Sequence, residues 1–167
     1  MFGDSLPKMP SFRLDGRRAL VTGAGRGIGM ASALALAEVG ANLTLVARSQ
    51  QELEEVASAV RKHGVNAVTV CLDITNTEAV QSTLDKLEPF EILINSAGTN
   101  KPALLKETDM ADLDAVMNLN VRSTFLITRE LVKGMVAAGK GGSIVTISSQ
   151  MGHVGGTKRS VYCASKH

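Results

Sequence analysis

Tyr162 and Lys166 stand four positions apart in "SVYCASK", the spacing that sets two side chains on one face of a helix. A phenol can give or take a proton, but ordinarily ionises only near pH ~10. An ammonium one turn away favours the ionised form, so the pair has the makings of a general acid/base. A second chemical feature lies near the other end of the chain. There "TGAGRGIG", residues 22–29, follows a short apolar run and opens an Ala- and Leu-rich helical stretch. Glycines in such a turn let the backbone approach a pyrophosphate, and free amides at the helix start point at it. This assigns Thr22, Gly23, Arg26, Gly27, Ile28 and Gly29 to a dinucleotide. The spacing is T-G-x-x-x-G-x-G rather than G-x-G-x-x-G.

The next apolar run says which dinucleotide. An acidic residue some ~20 positions beyond the glycines would hold a ribose 2′-hydroxyl. The second run ends instead in Ala47-Arg48-Ser49. A guanidinium there can grip a 2′-phosphate, and no carboxylate at that strand end repels it. Arg48 and Ser49 are therefore assigned to the cofactor, with Arg26 as a second positive charge, and the cofactor expected is NADP(H).

Such sites need a frame, and the chain supplies one by alternation. Apolar runs at 18–23, 41–48, 66–75, 91–98 and 142–149 read as strands. Helical patterns fill 27–40, 49–64, 76–87 and a long stretch from Leu113 to Ala138. In 49–64, Ser49 is a good N-cap, Glu52 sits at the capping-box position, and Leu53, Val56 and Val60 form the apolar stripe. Strands alternating with helices predict βαβ units, a parallel sheet and helices on both faces. The fold class is α/β, a Rossmann-type doubly wound sheet. Residues 1–12 read as an irregular arm and 13–167 as one NADP(H)-binding domain.

The composition excludes several function classes. A net charge of +2 with both signs mixed along the chain gives no basic face for nucleic acid or an anionic membrane. No apolar run at the N-terminus reads as a signal or anchor. Cys71 and Cys163 lie far apart, without metal-ligand spacing, and read as reduced thiols of a cytoplasmic protein with no metal site.

Taken together, the motifs resemble the short-chain dehydrogenase/reductase family over essentially all of 13–167. The glycine turn resembles its cofactor motif. Asp73 in "LDIT", with Ile74 beside it, matches the acidic residue that meets the adenine ring. "NSAG" resembles the family's NNAG, with Ser96 in place of the second Asn, and implies cofactor contacts from Asn95, Ala97 and Gly98. "NLNV" supplies Asn120, "ISSQMG" supplies Ser149, and "YCASK" is similar to YxxxK. The resemblance implies a catalytic set of Asn120, Ser149, Tyr162 and Lys166. Tyr162 is the acid/base and Ser149 bonds the substrate oxygen. Lys166 also holds the nicotinamide ribose, and Asn120 helps hold a water that links Lys166 to solvent. Tyr162 and Lys166 count among the cofactor contacts too.

The activity this implies is NADP(H)-dependent interconversion of a carbonyl and a secondary alcohol by hydride transfer. A local likeness of "SSQMGH…SVYCASK" to the family's xylulose and diacetyl reductases implies a sugar, polyol or small dicarbonyl substrate. Gln150 joins Ser149 and Tyr162 as a substrate contact on that likeness. Thr99-Asn100-Lys101 is a polar stretch along which a substrate could pass. Family members continue past the lysine and act as homo-oligomers. The resemblance therefore implies a chain cut short at its C-terminus, with strand 142–149 left as an apolar edge. The alternative function is an inactive nucleotide-binding fragment of such an enzyme.

Overall fold

The computed structural model describes residues 11–167, so most of the arm expected over 1–12 lies outside the described residues. Strands β1 (Arg18–Thr22), β2 (Asn42–Ala47), β3 (Ala67–Cys71), β4 (Ile92–Asn95) and β5 (Ser143–Thr146) form one parallel sheet. Its order is β3-β2-β1-β4-β5. The chain thus winds outward from β1 in one direction, returns, and continues from β4 in the other. That reversal leaves a crevice at the carboxyl ends of β1 and β4, where ligands bind in open α/β sheets.

Alternate residues of β1, β2 and β4 feed two cores. Ala19, Val21, Leu43, Leu45, Ile92 and Ile94 pack under α1 (Gly27–Glu38) and α2 (Gln50–Arg61). Leu20, Val46 and Leu93 point to the other face, against α3 (Thr77–Leu84) and α5 (Thr124–Ala137) through Val80, Leu126, Ile127 and Leu131. Helices on both faces give the doubly wound Rossmann-type architecture that the alternation predicts.

In α2, Leu53, Val56 and Val60 are buried as the stripe predicts, each stabilising the fold by about 1.5–3 kcal/mol. Ser49 Oγ accepts from the Glu52 amide at 3.3 Å, so the expected N-cap is in place and is worth about 1 kcal/mol. Gly64 has φ +79 and ends the segment in the left-handed region.

Two elements differ from expectation. The strand expected over 142–149 is ordered only from Ser143 to Thr146, because its partner β4 offers four residues, Ile92 to Asn95. The single long helix expected over 113–138 begins at Met110 and is interrupted. α4 (Met110–Met117) passes into a wider π turn over Asn118–Ser123 before α5 begins. The Ser123 hydroxyl donates to the Asn118 carbonyl at 2.8 Å across that turn. Single π turns of this kind recur at functional sites, and this one carries Asn120.

Candidate active site

The glycine turn closes the crevice between β1 and β4 by direct approach. A Cβ on Gly23 would lie 2.9 Å from the backbone of Ala97, and one on Gly29 only 2.2 Å from the Gly23 carbonyl. No larger residue fits either position, so the turn and "NSAG" pack backbone against backbone. α2, α3 and α4 are capped by the side chains of Ser49, Asn76 and Asp109. α1 has no side-chain cap and no acid in its first turn. Its first amides are left for an anion, which the helix dipole favours.

In front of that helix start lies a cleft of about 530 Å³. Arg26, Gly27 and Ile28 line it from the turn, Arg48 and Ser49 from the end of β2, Asp73 and Ile74 from beyond β3, and Ala97 and Gly98 from beyond β4. Arg48 makes no salt bridge among the described residues and is exposed. The Thr75 amide and hydroxyl both donate to Asp73 Oδ1, at 2.9 and 2.8 Å. Chiefly the Thr75 amide, with its hydroxyl and the more distant Arg48 charge, holds the Asp73 carboxyl below its ordinary value. The uncapped helix, the glycine approach and the cationic end of the cleft fit a dinucleotide phosphate and ribose chain.

At the other end, two side chains converge on Gly98. A Cβ built there would lie 3.3 Å from Asn120 Oδ1 and 3.6 Å from Lys166 Nζ. Lys166 belongs to α6 (Ser160–Lys166), and its Nζ stands 5.9 Å from the centre of the Tyr162 ring. Nζ donates to the Ile147 carbonyl at 2.8 Å, while the Ser148 hydroxyl donates to the Lys166 carbonyl at 2.9 Å. Both ends of Lys166 are thus tied to the chain leaving β5. Burial pushes its ammonium below the ordinary lysine value.

Asn120 is 6% exposed. Its Oδ1 accepts from the Thr99 amide at 2.8 Å, and its Nδ2 donates to the Thr99 carbonyl and to Ser165 Oγ, both at 2.9 Å. The water-holding role that the resemblance implies for Asn120 is accompanied here by direct bonds to loop and helix.

Not every expected residue faces the cleft. Thr22 is buried behind it, its Oγ1 accepting from the Ser96 and Ala97 amides at 3.2 and 3.3 Å. Asn95 is buried too, with Nδ2 donating to Thr128 Oγ1 at 2.9 Å. With Gly29 they shape the wall rather than line the cleft. Ser149 lies beyond the end of β5 and accepts from the Met151 amide at 3.2 Å, leaving its own proton to donate. Gln150 is exposed in the following 3₁₀ turn. Lys101 of the polar stretch is paired with Asp112 at 3.3 Å.

Sequence reasoning missed Ser96 and Glu52 as cleft-lining residues. It also missed Ser165 and the Ile147 carbonyl as partners of the Asn120 and Lys166 side chains. Ser165 sits three residues after Tyr162 on the same helix face, and that spacing is the one signal that could have found it. Cys71 and Cys163 are free thiols. Among the described residues no cluster of His, Cys, Asp and Glu could hold a metal. No described helix is long and apolar enough to cross a membrane.

A family model described as short chain dehydrogenase matches residues 17–167. The chain is 37% identical over 153 residues to an L-xylulose reductase from Mesocricetus auratus, covering 92% of this chain and 61% of that protein. A solved structure from Agrobacterium tumefaciens, provisionally named a 2-deoxy-D-gluconate 3-dehydrogenase and holding bound NADP, superposes with a TM-score of 0.86 at 36% identity. That match covers 93% of this chain and 62% of the other. An NAD+-bound xylitol dehydrogenase superposes with a TM-score of 0.87 at 32% identity, covering 91% of this chain and 60% of the other. The chain thus spans about three fifths of the length of these relatives. A match that runs through the dinucleotide cleft and on through the Tyr162 helix is more than a shared fold: this chain belongs to the short-chain dehydrogenase/reductase family.

Proposed function

We propose that the protein is an NADP(H)-dependent oxidoreductase that interconverts a carbonyl and a secondary alcohol. The observation that carries this reading is the convergence of Asn120 Oδ1 and Lys166 Nζ on Gly98, at the end of the cleft opposite Arg48. Arg48 and Ser49 hold the 2′-phosphate, the α1 amides hold the pyrophosphate, and Asp73 Oδ2 accepts from the adenine amine while Oδ1 stays with Thr75. Bound there, the reduced dinucleotide supplies the hydride.

The residues of the chain handle the proton. In reduction the Tyr162 hydroxyl gives its proton to the substrate oxygen as that oxygen gains negative charge, and in oxidation it takes one back. Lys166 supplies the positive charge that the ionised phenol needs, from a side chain whose position Ile147 fixes. Its partial burial keeps water from screening that charge. Ser149 donates its free proton to the same substrate oxygen, which stabilises the developing charge. The L-xylulose reductase and gluconate-type relatives support a polyhydroxylated substrate, a sugar, polyol or sugar acid, with Gln150 at its exposed end. The small-dicarbonyl reading rests on the local motif alone. Exposed Phe125, Val132 and Val136 along α5 support a homo-oligomer.

A second reading is favoured by β5. All four of its residues are exposed at the sheet edge, three positions before Ser149. On that reading the chain binds the nucleotide in the cleft without turnover.

Fluorescence titration with NADPH and NADH tests the cofactor assignment common to both. Saturable binding with NADPH at least about tenfold tighter is expected, one charge-assisted contact being worth about 1.5–3 kcal/mol. Equal affinities contradict the Arg48 assignment, and absent binding contradicts both readings.

A further inference from the structure

Tyr162 and Lys166 both ride on α6, so their aim at the cleft depends on what holds that helix to its neighbours. Something outside α6 has to fix it, and one hydroxyl sits at the crossing of the contacts that do. Ser165 Oγ accepts from Asn120 Nδ2 at 2.9 Å and donates its own proton to the Tyr162 carbonyl at 2.8 Å. Asn120 in turn holds both backbone groups of Thr99, beside Gly98 of the cleft. The result is an unbroken chain of hydrogen bonds from the cofactor loop, through the π turn, to the backbone of the tyrosine itself.

We propose that Ser165 is a positioning residue: it locks Tyr162 in register with the cofactor cleft by transmitting the Asn120 anchor to the first turn of α6. The inference rests on the oxidoreductase reading above. Ser165 touches neither the cleft nor the reacting atoms, and its effect runs entirely through Tyr162. The hydroxyl is suited to the task because it alone in α6 both accepts a side-chain bond from another element and donates within the helix. Lys166 is already tied to Ile147 and Ser148, so the lysine end of α6 is fixed independently. At the tyrosine end Val161 is buried, and Ser165 brings the hydrogen bond that links the Tyr162 backbone to the Asn120 anchor.

The chain contains a single tyrosine and no tryptophan. Ring-labelled tyrosine therefore gives one set of NMR signals, all from Tyr162. In the 167-residue chain, saturation with NADP+ is expected to shift and sharpen those signals. Ser165→Ala should abolish most of that response while NADP+ affinity stays within about twofold, as for a change away from the binding contacts. Ser165→Thr restores the hydroxyl and should restore the response. Should Ser165→Ala lose its fold, Ser165→Cys, close in volume with a weaker donor, carries the same comparison. A merely structural serine would lower the unfolding midpoint and leave the cofactor-induced shift intact. That result, or a failure of Ser165→Thr to restore the response, overturns the inference and leaves the oxidoreductase reading standing. A wild-type ring that ignores bound NADP+ overturns that reading first, and the inference with it.

Discussion

Asn120 holds Thr99 by both of its backbone groups, with Oδ1 accepting from the amide at 2.8 Å and Nδ2 donating to the carbonyl at 2.9 Å. The pairing copies a backbone-to-backbone bridge between a helix and a loop that otherwise share no ladder. It fixes the loop after "NSAG" against the π turn. Asn120→Ala removes both, together with the bond to Ser165, and leaves the part-buried backbone groups of Thr99 without these partners. The expected loss is about 2–4 kcal/mol of stability. A urea unfolding midpoint that moves by less than the equivalent of about 1 kcal/mol contradicts the anchoring role.

Arg48 lines the cleft from the end of β2 and makes no salt bridge among the described residues. Arg48→Asp removes a guanidinium and adds a charge that repels phosphate. NADPH affinity should fall by about 10²-fold or more, with NADH affinity changed far less. Titration of the variant with both cofactors checks this, and an equal loss for the two would remove the 2′-phosphate assignment.

Asp73 gives the acid limb of the stability curve a definite sign. Its carboxyl ionises below the ordinary value because the Thr75 amide, first, and the Thr75 hydroxyl bond the charged form. The folded state therefore holds its proton more weakly than the unfolded chain. The stabilisation is fully present above the ordinary carboxylate value near ~4 and is lost as pH falls through the folded one. Asp73→Asn should flatten that limb, read as the difference in urea midpoint between wild type and variant at a series of acid pH values. An unchanged difference across the series contradicts the Thr75 contact.

Lys166 acts with the opposite sense. Burial lowers its value from the ordinary 10.5, so the charged ammonium is the costly form in the fold. That penalty is present at neutral pH and is relieved as pH rises through the folded value towards the unfolded one. Wild-type stability relative to Lys166→Met should accordingly improve as pH rises above neutrality. A constant difference would mean that the ammonium is not desolvated.

What the sequence made legible was local. The glycine turn, the strand alternation and the Tyr162–Lys166 spacing are patterns within a few residues, and each is where the structure has it. Strand ends were less legible, because a strand persists only where its partner lasts: β3 stops at Cys71, opposite Ala47, the last residue of β2. The π turn was hidden because "NLNVRS" keeps a helical pattern, and what turns Asn120 inward is its partners 21 and 45 positions away. Thr22 and Asn95 open their motifs, but in the structure Thr22 Oγ1 accepts from two backbone amides and Asn95 Nδ2 donates to Thr128. Nothing in a motif distinguishes a residue that touches the ligand from one that holds the residue that does.

The most direct test of the account is NADPH oxidation by wild type and Tyr162→Phe with a panel of ketoses, keto acids and dicarbonyls. Loss of an acid/base group is worth about 10²–10⁴ in rate. The account predicts turnover of a polyhydroxylated carbonyl by wild type, a fall of that size in the variant, and NADPH affinity unchanged within about twofold. A variant that keeps most of the rate contradicts Tyr162 as the proton donor. A wild type that binds NADPH yet reduces nothing contradicts the catalytic reading and leaves nucleotide binding as the chain's activity.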